Sequence, residues 1–227
     1  MKFAVCVFPG SNCDYDTYYV IRDVLEKDVD FVFHEERDLS KYDCVVLPGG
    51  FSFGDYLRPG ALASKTPLAE AVYEFANKGK IVVGICNGFQ ILTELHLLPG
   101  ALLPNENMRF ICTDVLLRVE NSESELTKDL DKNDLIRIPI AHHDGRYYVE
   151  EKELERMRER NQILFRYVDE NGNPTPEANP NGSVDNIAGI MNREGNVFGM
   201  MPHPERASED ILGSHDGLRL WYSLISD

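Results

Sequence analysis

The chain has 227 residues, of which 43% are hydrophobic, a composition typical of a globular protein rather than a disordered one. Its formal net charge of −15 argues against nucleic-acid binding, because nucleic-acid phosphates are bound by Lys and Arg. No apolar stretch has the length of a membrane span, and the N-terminal strand is too short for a signal peptide, so we expect no membrane contact and no export.

Strand-like and helix-like segments alternate through the first hundred residues. Strands are predicted at 3–8, 29–34, 42–47 and 80–85, and helices at 14–27 and from Thr66-Pro67 through Phe75 to a stop signal at Lys78-Gly79. The alternation predicts an α/β fold with a mostly parallel central sheet that carries helices on both faces. Ligands of such sheets bind outside the carboxyl ends of the strands. The turns that follow these strands are therefore the first places to look for a site.

A glycine pair follows the apolar run at 44–47. Gly49 and Gly50 allow the backbone to direct N–H groups toward a substrate. We predict an oxyanion hole made by the N–H of Gly50 or Phe51 together with the N–H of Asn87, with Gly49 contacting the substrate. The alternative interpretation is an ordinary glycine-rich loop.

Cys86 lies between the predicted strand at 80–85 and a helix-forming run at 89–95. Gly84 and Gly88 flank it at two residues on either side, which is the thiol version of the nucleophile elbow. The N-terminus of the following helix favours thiolate over thiol. Cys86 is therefore predicted to be a nucleophile, against the alternative of a small buried cysteine.

The second half of the chain is richer in strands, and nothing in it resembles a linker. We predict one domain over residues 1–227. Its further predicted segments are strands at 110–119, 135–141, 162–168, 187–191 and 197–201, a charged helix at 150–160, a surface loop at 169–182, and a C-terminal helical region at 208–226 that is broken near Gly213 or Gly217.

His203 is the best candidate for a general base. It stands between two prolines, which exclude a helix interior and favour extended geometry. Residues two apart in an extended segment face the same side, so Glu205 is predicted to hold one ring nitrogen and leave the other for Cys86. The alternative is a surface turn that happens to contain a histidine.

The cysteine pattern indicates the compartment. Five cysteines without paired spacing fit a reducing environment, and no cysteine or histidine spacing suggests a metal, so we predict a cytoplasmic protein without a metal site. Cys6, Cys44 and Cys112 lie in apolar strand-like runs and are predicted to be inert core residues, whereas Cys13 lies in a loop.

Three blocks of the sequence resemble the class I glutamine amidotransferases, at residues 84–90 (GICNGFQ), 48–51 (PGGF) and 202–205 (PHPE). Within that family, two longer blocks look like the glutaminase subunits of phosphoribosylformylglycinamidine synthase, an enzyme of purine biosynthesis. These blocks are residues 8–14 (FPGSNCD) and 49–61 (GGFSFGDYLRPGA).

The resemblance extends to about residue 222 and implies a flavodoxin-like class I glutaminase fold with an added strand-rich second half. It implies that Cys86 is the nucleophile and that His203 and Glu205 complete the triad. It also implies that Gln90, one helical turn beyond Cys86, contacts bound glutamine, whereas without the resemblance Gln90 is interpreted as an ordinary residue of an amphipathic helix.

The implied reaction is hydrolysis of glutamine to glutamate and ammonia through a thioester. The ammonia passes to a large synthetase subunit, which converts formylglycinamide ribonucleotide to formylglycinamidine ribonucleotide. ATP and magnesium are expected on that partner, no cofactor on this chain, and a small third subunit in the same complex. Ser52, Asp55 and Arg58 either shape the site or the partner surface, or form a salt-bridged loop, while His142 is expected to be structural.

Two other classes remain open on the sequence alone. A stand-alone cysteine hydrolase or stress-type protein of the related superfamily would share the Cys86 elbow but lack glutamine specificity. A non-catalytic binding module of the same fold would tolerate loss of Cys86. Labelling with a glutamine-analogue electrophile separates the three classes.

Overall fold

The computed structural model describes residues 1–226, and within them the chain forms two compact units. One unit comprises residues 1–98 and 196–199, and the other comprises 99–195 and the chain from 200 onward. The assignment of 1–227 to a single domain stays a prediction. None of the helices in the described part of the chain has the length and apolarity needed to cross a membrane.

The strands are β1 (Lys2–Val7), β2 (Asp28–Phe33), β3 (Cys44–Leu47), β4 (Ile81–Ile85), β5 (Ala101–Leu103), β6 (Ile111–Val119), β7 (Leu135–His142), β8 (Arg146–Tyr148), β9 (Ile163–Tyr167), β10 (Ile187–Met191) and β11 (Val197–Met200). The α-helices are α1 (Asp14–Tyr19), α2 (Pro67–Asn77), α3 (Asn87–Glu94), α4 (Glu151–Glu159) and α5 (Asp216–Ile225). Every strand predicted from the sequence is present. The structure adds the short strands β5 and β8.

The first unit is built on strands in the order β2-β1-β3-β4-β11. The pairs β1–β2, β1–β3 and β3–β4 are parallel, with Val45 opposite Ala4 on one side and Val82 on the other. These three side chains are fully buried, as expected for the centre of a parallel sheet. The predicted α/β class with a mostly parallel sheet is confirmed.

The helices of the first unit begin and end near the predicted signals. Thr66 caps α2, because its Oγ1 accepts the N–H of Ala69 at 3.2 Å, and Gly79 follows the helix with φ 76°. The helix predicted at 14–27 is shorter: α1 continues into a π-helical segment, Val20–Val24, and the chain then turns at Glu26 with φ 53°.

The second unit contains four antiparallel strands in the order β10-β9-β6-β7, together with the antiparallel pair β5–β8. Helix α4 buries Leu154 and Met157 and exposes its charged side chains, as predicted. The C-terminal helical region is broken at Gly213, which has φ 90°, before α5 begins.

The predicted loop at 169–182 contains no helix or strand, and side-chain amides hold its C-terminal end. Asn179 Oδ1 accepts the N–H groups of Gly182 and Ser183, and Asn181 Nδ2 donates to the carbonyl of Gly145 at 2.9 Å. Asn181 is only 1% exposed, so this end of the predicted surface loop is packed into the second unit.

The cysteine predictions are confirmed for two residues and wrong for a third. Cys6 and Cys44 are fully buried, and burial raises the pKa of each thiol. Cys112 is exposed, because the first half of β6 is solvated and only its later residues alternate with the core. Cys13 is buried despite its place in a loop.

Candidate active site

Cys86 lies between β4 and α3 in an unusual backbone conformation, with φ 50° and ψ −104°. A positive φ is uncommon for a residue that carries a Cβ, and such conformations cluster at functional sites. Its side chain is 4% exposed. A strained residue on a strand-to-helix turn is the geometry of a nucleophile elbow, so the predicted turn is present.

The two glycines around Cys86 bring α3 against the strands. A Cβ on Gly88 would overlap the carbonyl of Leu47, and one on Gly84 would lie 2.7 Å from the carbonyl carbon of Gly88. Real Cβ atoms do not approach backbone so closely, so the residues at both positions must lack one. The spacing Gly-x-Cys-x-Gly is therefore a packing requirement of this elbow.

The glycine turn after β3 is locked to the turn after β1 by main-chain hydrogen bonds. Gly49 O accepts the N–H of Asn12 at 3.3 Å, and the N–H of Phe51 donates to Gly10 O at 3.1 Å. Because the Phe51 N–H is engaged in this way, Gly50 is the better of the two predicted oxyanion donors. Gly50 has φ 142°, a conformation suited to glycine.

Asn87 and Gln90, the first and fourth residues of α3, are hydrogen-bonded to each other. Asn87 Nδ2 donates to Gln90 Oε1 at 2.8 Å, and Asn87 Oδ1 accepts the backbone N–H of Ser52 at 3.1 Å. All three residues are at most 5% exposed. Only a backbone role is predicted for Asn87 from the sequence, although a polar side chain directly after the proposed nucleophile is a signal for a side-chain role.

Ser52, Asp55 and Arg58 belong to the segment that follows the glycine turn. The Ser52 hydroxyl is buried and has no hydrogen-bond partner within residues 1–226. Arg58 makes two 2.6 Å hydrogen bonds to the Glu94 carboxylate at the end of α3, and Asp55 has φ 54°. For Arg58, this geometry favours the salt-bridged loop over a direct chemical role.

His203 and Glu205 form a buried pair in the second unit. His203 Nδ1 lies 2.6 Å from Glu205 Oε1, and the two residues are 1% and 2% exposed. The expected contact is present, but it forms through a different backbone conformation from the predicted one. Glu205 lies in a 3-10 turn, Pro204–Arg206, rather than in an extended segment, and the tight turn brings its carboxylate back to the ring.

His142 is a second buried imidazole, at the end of β7. Asn105 Oδ1 accepts the Gly145 N–H at 3.0 Å and lies 3.1 Å from His142 Nδ1. An oxygen can only accept, so Nδ1 carries the proton and Nε2 carries the lone pair. His142 Nε2 is buried without a hydrogen-bond partner among residues 1–226, which makes His142 more than the satisfied structural histidine that the sequence analysis expected.

We expect His142 to stay neutral well below neutral pH. Burial, and secondarily the charge of His203, lower the pKa of His142 from 6.5 to about 4. As the pH falls, the His142 ring is protonated in the unfolded chain before it is protonated in the folded chain. The free energy of unfolding therefore decreases between about pH 6.5 and pH 4, by on the order of 3 kcal/mol in total. Imidazole NMR signals, assigned with His142→Gln, should show the Nδ1–H tautomer and a midpoint near 4; a midpoint near 6.5 contradicts the assignment.

A family model described as a CobB/CobQ-like glutamine amidotransferase domain matches residues 1–219. A protein from Aquifex aeolicus (strain VF5), named phosphoribosylformylglycinamidine synthase subunit PurQ, is 78% identical over 227 residues, which is 100% of both chains. The chain belongs to this subunit family of the glutamine amidotransferases.

Two further similarities agree with the membership. A protein of the same name from Methanosarcina barkeri (strain Fusaro / DSM 804) is 54% identical over 225 residues, 99% of this chain and 97% of that one. Among solved structures, a chain in the structure of PurLQS from Thermotoga maritima matches with a TM-score of 0.87 and 42% identity, covering 99% of this amidotransferase and 97% of that chain.

Within this glutamine amidotransferase the predicted site residues form two groups. In the first unit, the elbow with Cys86 adjoins Asn87 and Gln90, and the Asn87 side chain connects the elbow to the glycine turn. In the second unit, His203 is paired with Glu205. The predicted turn at Cys86 and the predicted His203–Glu205 contact are both present, each within its own unit.

Proposed function

We propose that this chain hydrolyses glutamine with Cys86 as the nucleophile and with His203 and Glu205 as the base and its orienting carboxylate. The observation that carries the proposal is the strained backbone of Cys86 on the β4–α3 turn, because a buried structural cysteine needs no such conformation. The buried His203–Glu205 pair supports it, since a carboxylate at Nδ1 fixes the tautomer that leaves Nε2 as the base.

In the proposed reaction His203 takes the proton of the Cys86 thiol, and the sulfur attacks the side-chain amide carbon of glutamine and forms a C–S bond as the C=O π bond opens. Negative charge develops on the amide oxygen, where the N–H groups of Gly50 and Asn87 are the proposed donors. His203 protonates the departing nitrogen, the C–N bond breaks, and ammonia leaves a thioester on Cys86. Water, deprotonated by His203, then attacks the thioester, releases glutamate and restores the thiol.

The ammonia is proposed to be used by a synthetase partner rather than released. Free ammonia is largely protonated at neutral pH and is then not nucleophilic, so useful transfer needs a route that excludes bulk water. The relatives named as subunits of phosphoribosylformylglycinamidine synthase support a large synthetase partner, which would hold ATP and magnesium and convert formylglycinamide ribonucleotide to formylglycinamidine ribonucleotide. We also propose that the complex contains a small third subunit and that this chain is located in the cytoplasm.

The alternative of a stand-alone cysteine hydrolase or stress-type protein is not favoured. The relatives that match this chain from end to end carry the name of a synthase subunit, and the family model is that of glutamine amidotransferases. A hydrolase of the wider superfamily would also have no need of a partner.

We expect the isolated chain to hydrolyse glutamine slowly and the reconstituted synthetase complex to do so at least about tenfold faster, because binding of the partner is proposed to complete the catalytic arrangement. The measurement is glutamate release from the chain alone and in complex, with ATP and formylglycinamide ribonucleotide present or omitted. Labelling with a glutamine-analogue electrophile in the complex should be confined to Cys86 and blocked by glutamine. Equally fast turnover by the chain alone, or labelling that glutamine does not block, contradicts the proposal.

A further inference from the structure

The Asn87 side chain connects two segments that the proposed mechanism uses. Its Oδ1 accepts the backbone N–H of Ser52, two residues beyond Gly50, and its Nδ2 donates to Gln90 Oε1 one helical turn further along α3. Asn87 is 2% exposed, so water does not compete for either bond.

The direction of these hydrogen bonds is fixed by the backbone. A main-chain N–H can only donate, so the atom facing Ser52 must be the Asn87 oxygen, and the Asn87 nitrogen must therefore face Gln90. That nitrogen can only donate, so Gln90 turns its oxygen toward Asn87 and its Nε2 away from it. Asn87 thus sets which end of the Gln90 carboxamide points in each direction.

We propose that the Asn87 carboxamide is a positioning group that holds the Gly49–Ser52 turn against the elbow and orients Gln90 to present an N–H donor to an oxygen of the bound amino acid. The inference rests on the proposed function and adds to it a role for a side chain. No other residue type of this size supplies both atoms: aspartate keeps the acceptor for Ser52 and lacks the donor, and leucine lacks both.

Loss of each of the two Asn87 hydrogen bonds should have its own effect on the kinetics. In Asn87→Asp the Ser52 contact is kept, but two oxygens now face each other at Gln90, so Gln90 must turn its amide around. We expect the KM for glutamine to rise about tenfold, in the range of one lost buried hydrogen bond, with kcat changed less than about threefold. In Asn87→Ala the hydrogen bond to the Ser52 N–H is lost as well, so the Gly49–Ser52 turn is no longer held against the elbow. We therefore expect kcat to fall about tenfold or more in addition to the rise in KM.

A double-mutant cycle separates positioning from a structural effect. If Asn87 acts through Gln90, then Asn87→Asp should change the KM little in a Gln90→Ala background, because the group it orients is already gone. A structural role would leave the effect of Asn87→Asp the same in both backgrounds. Asn77→Ala is the matched control, since Asn77 is exposed at the end of α2 and donates only to Tyr73 O.

The experiment uses the reconstituted complex with the synthetase and measures kcat and KM for glutamine for each variant. If Asn87→Asp does not assemble, Asn87→Ser replaces it, with the same expected KM rise and the same coupling to Gln90. A wild-type KM in Asn87→Asp, or a KM effect undiminished in the Gln90→Ala background, overturns the inference. Failure of the proposed function is distinguishable, because the unsubstituted complex would then itself show no glutamine-dependent turnover.

Discussion

Cys86→Ala should remove glutamine-dependent product formation from the reconstituted complex while ammonia-dependent product formation stays within about twofold of the unsubstituted complex. Without the sulfur no thioester forms, and we expect a loss of at least about a thousandfold in kcat, the usual cost of removing a catalytic nucleophile. Added ammonia bypasses this step, because it enters the synthetase reaction directly. The measurement is product formation with glutamine or with an ammonium salt as the nitrogen source.

Cys112→Ala is the matched control for this experiment. Cys112 is exposed on β6, whereas Cys86 is buried at the elbow, and replacing Cys112 should leave both activities unchanged. Substantial glutamine-dependent activity in Cys86→Ala would reject the assignment of the nucleophile. Loss of the ammonia-dependent activity as well would point instead to a failure of assembly.

The second large effect is expected at the buried histidine–glutamate pair. Glu205→Gln keeps an oxygen for His203 Nδ1 but removes the negative charge that stabilises the protonated ring, so kcat should fall between about a hundredfold and ten thousandfold. Glu205→Ala also leaves a buried ring nitrogen without its acceptor, which should lower the free energy of unfolding by about 1–3 kcal/mol. Rapid-quench measurement of thioester formation and urea denaturation test the two effects separately.

The chain offers an exposed version of the same interaction as a control. His215 Nδ1 lies 2.5 Å from Asp210 Oδ1, and both side chains are largely solvent-exposed. Because exposed polar contacts contribute little to stability, Asp210→Asn should change neither the rate nor the free energy of unfolding by a measurable amount. If Glu205→Gln behaves like Asp210→Asn, the role assigned to Glu205 is wrong.

The sequence was informative wherever local chemistry determines the backbone. The apolar runs of β3 and β4 and the Gly-x-Cys-x-Gly spacing are local signals of the elbow, whereas the close contact of Gly88 with Leu47 joins distant parts of the chain. Strands β5 and β8 have three residues each, too few for an alternating pattern to be recognised. Cys112 was predicted to be buried because an apolar run does not reveal which part of a strand is covered.

Other features of the site depend on contacts between distant parts of the chain. The engagement of the Phe51 N–H by Gly10 and of Asn87 by Ser52 follows from folding, and no local pattern predicts either bond. The same holds for His142, whose tautomer is fixed by Asn105 from a separate loop. The contact between His203 and Glu205 is predictable from their spacing, because residues two apart can touch in more than one backbone conformation.

Main-chain hydrogen bonds join the turn after β1 to the turn after β3. A Cβ on Gly50 would come within 2.7 Å of the Asn12 nitrogen, and one on Gly10 would overlap the Phe51 carbonyl. The close approach of the two turns consequently requires a residue without a Cβ at both positions. A side chain at either position would push the two turns apart and displace the backbone that carries the Gly50 N–H.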